Sequence, residues 1–180
     1  MVTNKKFALV TLTIIPFLVI IIFYFNGTEQ VYGNDKESIA KVIHSIDGYE
    51  NESIEILEIR DFNDLRMVGF LSNNSPGYIQ FAKNEDGNYE WRHIEVQNDE
   101  SFSSFLPDFR KPPKKFMLVT NHSNKIAKMQ VSVNGQKLEQ VFTPNNASVT
   151  WVKLPRTDKN EYEFRNYKFY DKDGKLIEEY

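Results

Sequence analysis

Residues 126–142 read IAKMQVSVNGQKLEQVF, and their pattern decides the fold of the second half of the chain. Ala127, Met129, Val131 and Val133 alternate with polar neighbours, the period of a strand with one buried face. Asn134-Gly135 follows, the dipeptide that most strongly signals a two-residue hairpin loop, because both residues accept a positive φ. With that loop, Val131 opposes Leu138 and Ala127 opposes Phe142, so the apolar faces of the two strands agree. Gln140 opposite Met129 is the one mismatch.

Strands continue on both sides of this hairpin. Residues 116–120 form one before it and 147–154 another after it, with Val149 and Trp151 on one face. Residues 161–170, EYEFRNYKFY, alternate but slip phase near Asn166. Asp171-Lys172-Asp173-Gly174 then turns the chain into a last strand, 175–179. The same four residues echo the opening of a calcium loop, but such a loop needs more oxygen ligands and a closing glutamate, so a hairpin turn is expected. Strands at this spacing with no helix between them predict an all-β sandwich over residues 116–180. The succession ending FYDKDGKLIEEY resembles small bacterial immunoglobulin-like modules. That resemblance implies an immunoglobulin-like sandwich with an adhesive or spacer role. The disulfide of antibody domains is missing, since the chain contains no cysteine.

Upstream, residues 34–97 predict an α+β unit, one helix on an antiparallel sheet. Asn34 is the expected N-cap, with Glu37 as its capping-box partner. Ile39, Val42, Ile43 and Ile46 recur at helical spacing, and Gly48 is the expected stop. Residues 53–60, SIEILEIR, change apolar phase between Ile56 and Leu57, the mark of a bulge or of a strand covered on both faces. A second strand spans 66–72, and Asn73 to Gly77 form a turn cluster. Strands 78–83 and 89–96 flank a hairpin turn at Asp86-Gly87. That turn pairs Ala82 with Trp91 and Ile79 with Ile94. Ile79, Phe81, Ile94 and Val96 then form the core face, with Arg92 as the exception.

The opposite face of that hairpin is the candidate ligand-binding surface. It gathers Tyr78, Gln80, Tyr89, Trp91 and His93, with Ala82 and Glu95. Aromatic rings beside an imidazole and an amide suit a peptide or a sugar. Packing against the helix or a neighbouring domain would use the same rings. His93 and Glu95 are two apart on one strand and point the same way, the minimum geometry for an acid–base pair in a hydrolase.

Residues 98–115 read as a linker. Phe102, Phe105, Leu106 and Phe109 suggest a short helix or packed loop, and Arg110 to Lys115 a basic, proline-stiffened run. Such a run is most simply solvated, although it also suits anionic headgroups or wall polymers.

At the N-terminus, residues 7–25 read FALVTLTIIPFLVIIIFYF and carry no charge. As a helix, 19 residues reach about 28 Å, the thickness of a bilayer's hydrocarbon core. Residues 1–6, which include Lys5 and Lys6, are then a cytoplasmic tail, 26–33 a linker, and the rest extracytoplasmic. Secretion after cleavage near Gly33 is the competing expectation. Mean hydropathy is −0.50 over the 180 residues even with this run included. Setting aside Lys5 and Lys6, 20 basic and 25 acidic residues give the remainder a charge of −5. An acidic body without clustered cations excludes nucleic acid as a partner. The lack of cysteine excludes disulfides, thiolate chemistry, Cys-based zinc sites and a lipid-modified N-terminus. His44, His93 and His122 show no metal-ligand spacing, and no nucleophile or phosphate-loop motif is present, so no metal, cofactor or catalytic residue is expected.

The reading is a single-pass bacterial membrane protein, similar to small membrane-anchored proteins of Gram-positive bacteria. Its extracytoplasmic body binds or assists a protein, peptide or cell-wall partner at the cell surface. The alternatives are a hydrolase of wall or peptide material, or a sensor or immunity protein that binds an external toxin or signal.

Overall fold

Eleven strands and one short helix make up the described part of the protein. A computed structural model describes residues 31–109, 114–157 and 161–179. The helix α1 is Lys36–His44. The strands are β1 Ile54–Phe62, β2 Leu65–Ser72, β3 Ser75–Lys83, β4 Tyr89–Val96, β5 Phe102–Phe105 and β6 Lys115–Thr120. They continue with β7 Lys128–Val133, β8 Gln136–Val141, β9 Ser148–Lys153, β10 Phe164–Tyr170 and β11 Leu176–Glu179. All pairings are antiparallel, in three sheets ordered β1-β2-β3-β4, β5-β6-β9 and β11-β10-β7-β8. The protein is thus mostly antiparallel β-structure, consistent with a β-sandwich. No helix among the described residues is long and apolar enough to cross a membrane, and the expected span at 7–25 lies outside them.

The layers follow from which face each side chain takes. Ile39, Val42 and Ile43 of α1 bury against Ile56, Val68, Phe70, Ile79 and Phe81 of the first sheet. The other face of that sheet packs Leu71 and Tyr78 against Phe105, Met117 and Val119 of the middle sheet. From the far side of the middle sheet, Phe116 and Leu118 meet Met129, Val131, Val133 and Phe169 of the outer sheet. Strand β6 is therefore covered on both faces, and it carries no alternation because no face needs to be polar. At Gly69 the first and middle sheets approach closely. A Cβ there would lie 2.4 Å from Val149 and 2.6 Å from Met117.

Several local expectations hold. The 126–142 hairpin pairs Val131 with Leu138 and Met129 with Gln140, and Asn134 and Gly135 have φ of 51° and 80°. The phase slip in β1 is a bulge at Leu57, which turns Ile56 toward α1 and Leu57 toward the middle sheet. The slip near Asn166 is a register shift between Arg165 and Lys168, with Asn166 at φ 56°. Asp171 closes the last turn by accepting backbone N–H bonds from Asp173 and Lys175, both 2.9 Å, so its carboxylate is committed to a hairpin.

Others are corrected. The N-cap is Asp35, boxed with Ser38 rather than Glu37. Asn34 is taken up elsewhere, its amide bridging to Asn88 and to the Tyr89 N–H. The turn after β2 is only Asn73-Asn74, both with positive φ, and Ser75, Pro76 and Gly77 already belong to β3. Residues 102–105 are a strand, not a helix or loop. They pair with β6 from Phe102↔Thr120 to Phe105↔Met117.

Candidate functional site

The β3–β4 pairing determines what became of the expected binding face. Ile79 opposes Ile94 and Gln80 opposes His93, as expected. Phe81 then opposes Trp91 rather than Arg92, because Arg92 is an extra residue at a bulge. Beyond it the register moves by one, and Tyr89 opposes Lys83. Cross-strand partners share a face, so the bulge sends Tyr89 and Trp91 to the helix side and leaves Tyr78, Gln80 and His93 on the other. The five candidates do not form one surface.

Each then has its own surroundings. Tyr78 is 4 % exposed, its ring 5.0 Å from Phe105 and 5.4 Å from His93. Burial, and then the Glu95 and Asp108 carboxylates, push its phenol up to about 12. Gln80 reaches the Asp108 carbonyl at 3.4 Å, a long contact. Tyr89 is buried among Ile39, Ile79 and Phe81, and its hydroxyl donates to Asp61 at 3.2 Å. The Arg66 guanidinium lies 3.9 Å from the centre of its ring. Burial and the Asp61 charge raise the Tyr89 phenol above its ordinary value. Trp91 is 44 % exposed. His93 Nε2 is 3.7 Å from the Glu95 carboxylate, and neither residue lines either of the two hollows described below. Among the described residues no three His, Asp or Glu side chains are grouped to hold a metal.

A wide concavity lies elsewhere, at the mouth of the sandwich between β5 of the middle sheet and β10–β11 of the outer one. Its volume is about 580 Å³. Phe102, Ile126, Tyr167, Phe169 and Ile177 line it, and Glu100 and Lys125 are among the polar residues at its boundary. Phe102 and Phe169 meet edge to face at 5.4 Å, and Tyr167 stacks along Phe169 at 6.1 Å. Burial raises the Tyr167 phenol, against a hydrogen bond with Ser104 that lowers it. Ile177, 47 % exposed, comes from an outer edge strand.

Strand β5 is also an edge. Asn121 N–H bonds to the Ser101 carbonyl, so in antiparallel alternation Ser101, Ser103 and Phe105 exchange bonds with β6. The backbone groups of Phe102 and Ser104 therefore point to the open side. The sequence holds one trace of this cleft, the aromatic residues of the 98–115 segment. Their partners on β10 lie some 65 positions away, beyond the reach of local patterning.

A smaller polar hollow of about 240 Å³ lies among Asn73, Asn74, Asp99 and Asn121. It is braced by the Asn121 amide, which donates to the Asn74 and Glu100 carbonyls.

Comparison of the chain with family models, with curated proteins and with solved structures returned no match.

Proposed function

We propose that the protein is a membrane-anchored, extracytoplasmic binding protein whose sandwich captures an extended peptide in the cleft beside β5. The cleft is the observation that carries this reading. Its apolar floor lies next to open backbone donors and acceptors at Phe102 and Ser104, the requirements for strand addition. Its volume falls within the usual range of ligand sites, about 300–1,000 Å³. Glu100 borders it, and its one basic residue, Lys125, already donates to Asn145 at 2.6 Å. This balance suits a peptide bearing lysine or arginine beside its apolar positions.

The anchor reading rests on residues 7–25 and the Lys5-Lys6 flank. The immunoglobulin-like reading is supported by strand order. Lettered A to G from β5, the sheets run A-B-E and G-F-C with the fourth strand beside C, as C′ lies in variable-type domains. A hydrolase would rest on His93 and Glu95, which stand outside the cleft.

The test is titration of full-length protein in detergent with a library of extended peptides of varied charge. Basic–apolar peptides should bind, and Phe102→Ser or Ile177→Glu should weaken them at least tenfold while leaving the circular dichroism unchanged. Binding that is indifferent to both substitutions sinks the cleft as the site. Intact mass of the protein taken from membranes tests the anchor: a species beginning at Asn34 would make residues 1–33 a cleaved signal.

A further inference from the structure

The chain enters the folded body at a fixed point. Gly33 N–H donates to the Tyr89 carbonyl at 2.8 Å, and the Gly33 and Asn34 carbonyls accept from Arg66 Nη1 at 2.9 and 2.7 Å. A Cβ on Gly33 would lie 2.2 Å from the Phe81 ring. Residues 33–34 are therefore held at the end of the first sheet that carries the β1–β2 and β3–β4 turns. The start of β6 lies at this same end. Lys115 Nζ is 4.3 Å from the centre of the Phe62 ring, and Phe62 meets Phe109 at 5.0 Å. Lys115 pairs with Lys153, and the Lys114 carbonyl accepts from Leu154 N–H at 3.1 Å. Lys114, Lys115 and Lys153 thus cluster at the end where the chain arrives, and none makes an ion pair among the described residues. The neighbouring turns carry Asp64, Glu85 and Asp86, so the positive surface is the β6–β9 side of this end.

Between Phe25 and Gly33 stand the seven residues 26–32, which span at most about 25 Å when fully extended. We propose that Lys114, Lys115 and Lys153 form a surface that docks on the anionic phospholipid headgroups of the membrane in which residues 7–25 are anchored. The occupant follows from charge and from attachment: three lysines at the end of the body where a tether of at most about 25 Å joins the membrane segment. The peptide cleft, bordered by Gln97, Glu100 and Lys125, lies toward the other end of the strands and stays open to the outside. This inference rests on the anchored reading above.

The test uses full-length protein in nanodiscs of phosphatidylcholine with or without phosphatidylglycerol. Acylation of each lysine by an amine-reactive reagent is followed by mass spectrometry. With phosphatidylglycerol, Lys114, Lys115 and Lys153 should react about fivefold more slowly, the factor expected of one lysine at an anionic surface. Lys172 and Lys175, on the distal β10–β11 turn, should keep their rates. Protection should vanish near 1 M salt, where the screening length is about 3 Å. Lys153→Gln, an exposed change that leaves the fold intact, should reduce the protection of Lys114 and Lys115. Equal rates in both lipids, with the protein inserted, overturn the docking surface and leave the anchor standing. Failure of the chain to insert overturns the anchor, and the docking surface with it. Protection by soluble polyphosphate but not by phosphatidylglycerol bilayers also overturns the proposal, reassigning the lysines to a phosphate polymer.

Discussion

Strands β6 and β11 are both rich in apolar residues, yet they have opposite fates. In β6 every residue from Phe116 to Thr120 is buried, whereas in β11 all four are exposed, including Leu176 and Ile177. Composition does not separate LV in one from LI in the other. What separates them is the number of layers stacked over each, two for β6 and an open edge for β11. Burial is thus concentrated at the middle sheet, and exposed apolar residues lie at the sheet margins.

The strongest way to break this contrast is Met117→Ala. Met117 is fully buried between the first and middle sheets, and truncating it should cost about 2–5 kcal/mol. Urea unfolding should show one transition moved to lower denaturant, since both neighbouring layers lose a shared contact. Two separated transitions would show that the layers are energetically independent. Gly69→Val comes next. It overfills the same interface and should cost about 1–3 kcal/mol, recovered in part by Val149→Ala, which vacates the space the new side chain needs.

A smaller effect comes from the Asp61–Arg66 fork, where Arg66 Nε and Nη2 reach the carboxylate at 2.7 and 2.9 Å. The Arg66 hydrogen bond holds Asp61 below its ordinary value of 3.8. Since the folded state lowers this pKa, the contribution is present above about pH 4 and is lost as pH falls through the folded value. Asp61 is partly exposed, so after screening the effect should be about 1 kcal/mol or less. Asp61→Asn should lower thermal stability at pH 7 and leave it nearly unchanged near pH 2. A loss of the same size at both pH values would show that the fork acts by shape rather than charge. The smallest expected effect is at the margin. Leu176→Ser should alter stability by no more than about 0.5 kcal/mol, as a surface change does. A loss above 1 kcal/mol in chemical denaturation would mean that β11 is covered by something that buries it.

The same contrast explains how much of the fold was legible in the sequence. Wherever a strand had one wet face, its alternation could be read, and residues 126–142 were assigned to the right register from local pattern alone. Phase slips at Leu57 and Asn166 were visible because an apolar residue landed on the wrong beat. The bulge at Arg92 left only a charge on the expected core face, because Glu90, Arg92, His93 and Glu95 give a strand with few apolar beats to slip. That one extra residue moved Tyr89 from the candidate surface into the core and broke the expected face apart. Strand β5 was hidden for another reason. Phe102-Ser103-Ser104-Phe105 has only four residues, and its pairing depends on β6, across a segment with three prolines. The cleft beside it is a product of tertiary assembly, and no local motif announces it.

The layered arrangement also sets an order of events in time. The first sheet is a meander of successive strands and can close as soon as residues up to Val96 have emerged. The face it turns toward Met117 then carries Leu71, Tyr78, Met67 and Ala82 with nothing over it. Its cover requires β6 to pair with β9, from Lys115↔Lys153 to Thr120↔Ser148, and the β7–β8 hairpin must be synthesised between them. Such long-range closure is intrinsically slow. For that interval the emerging chain presents an uncovered apolar face, open to its own later strands or to a neighbouring chain.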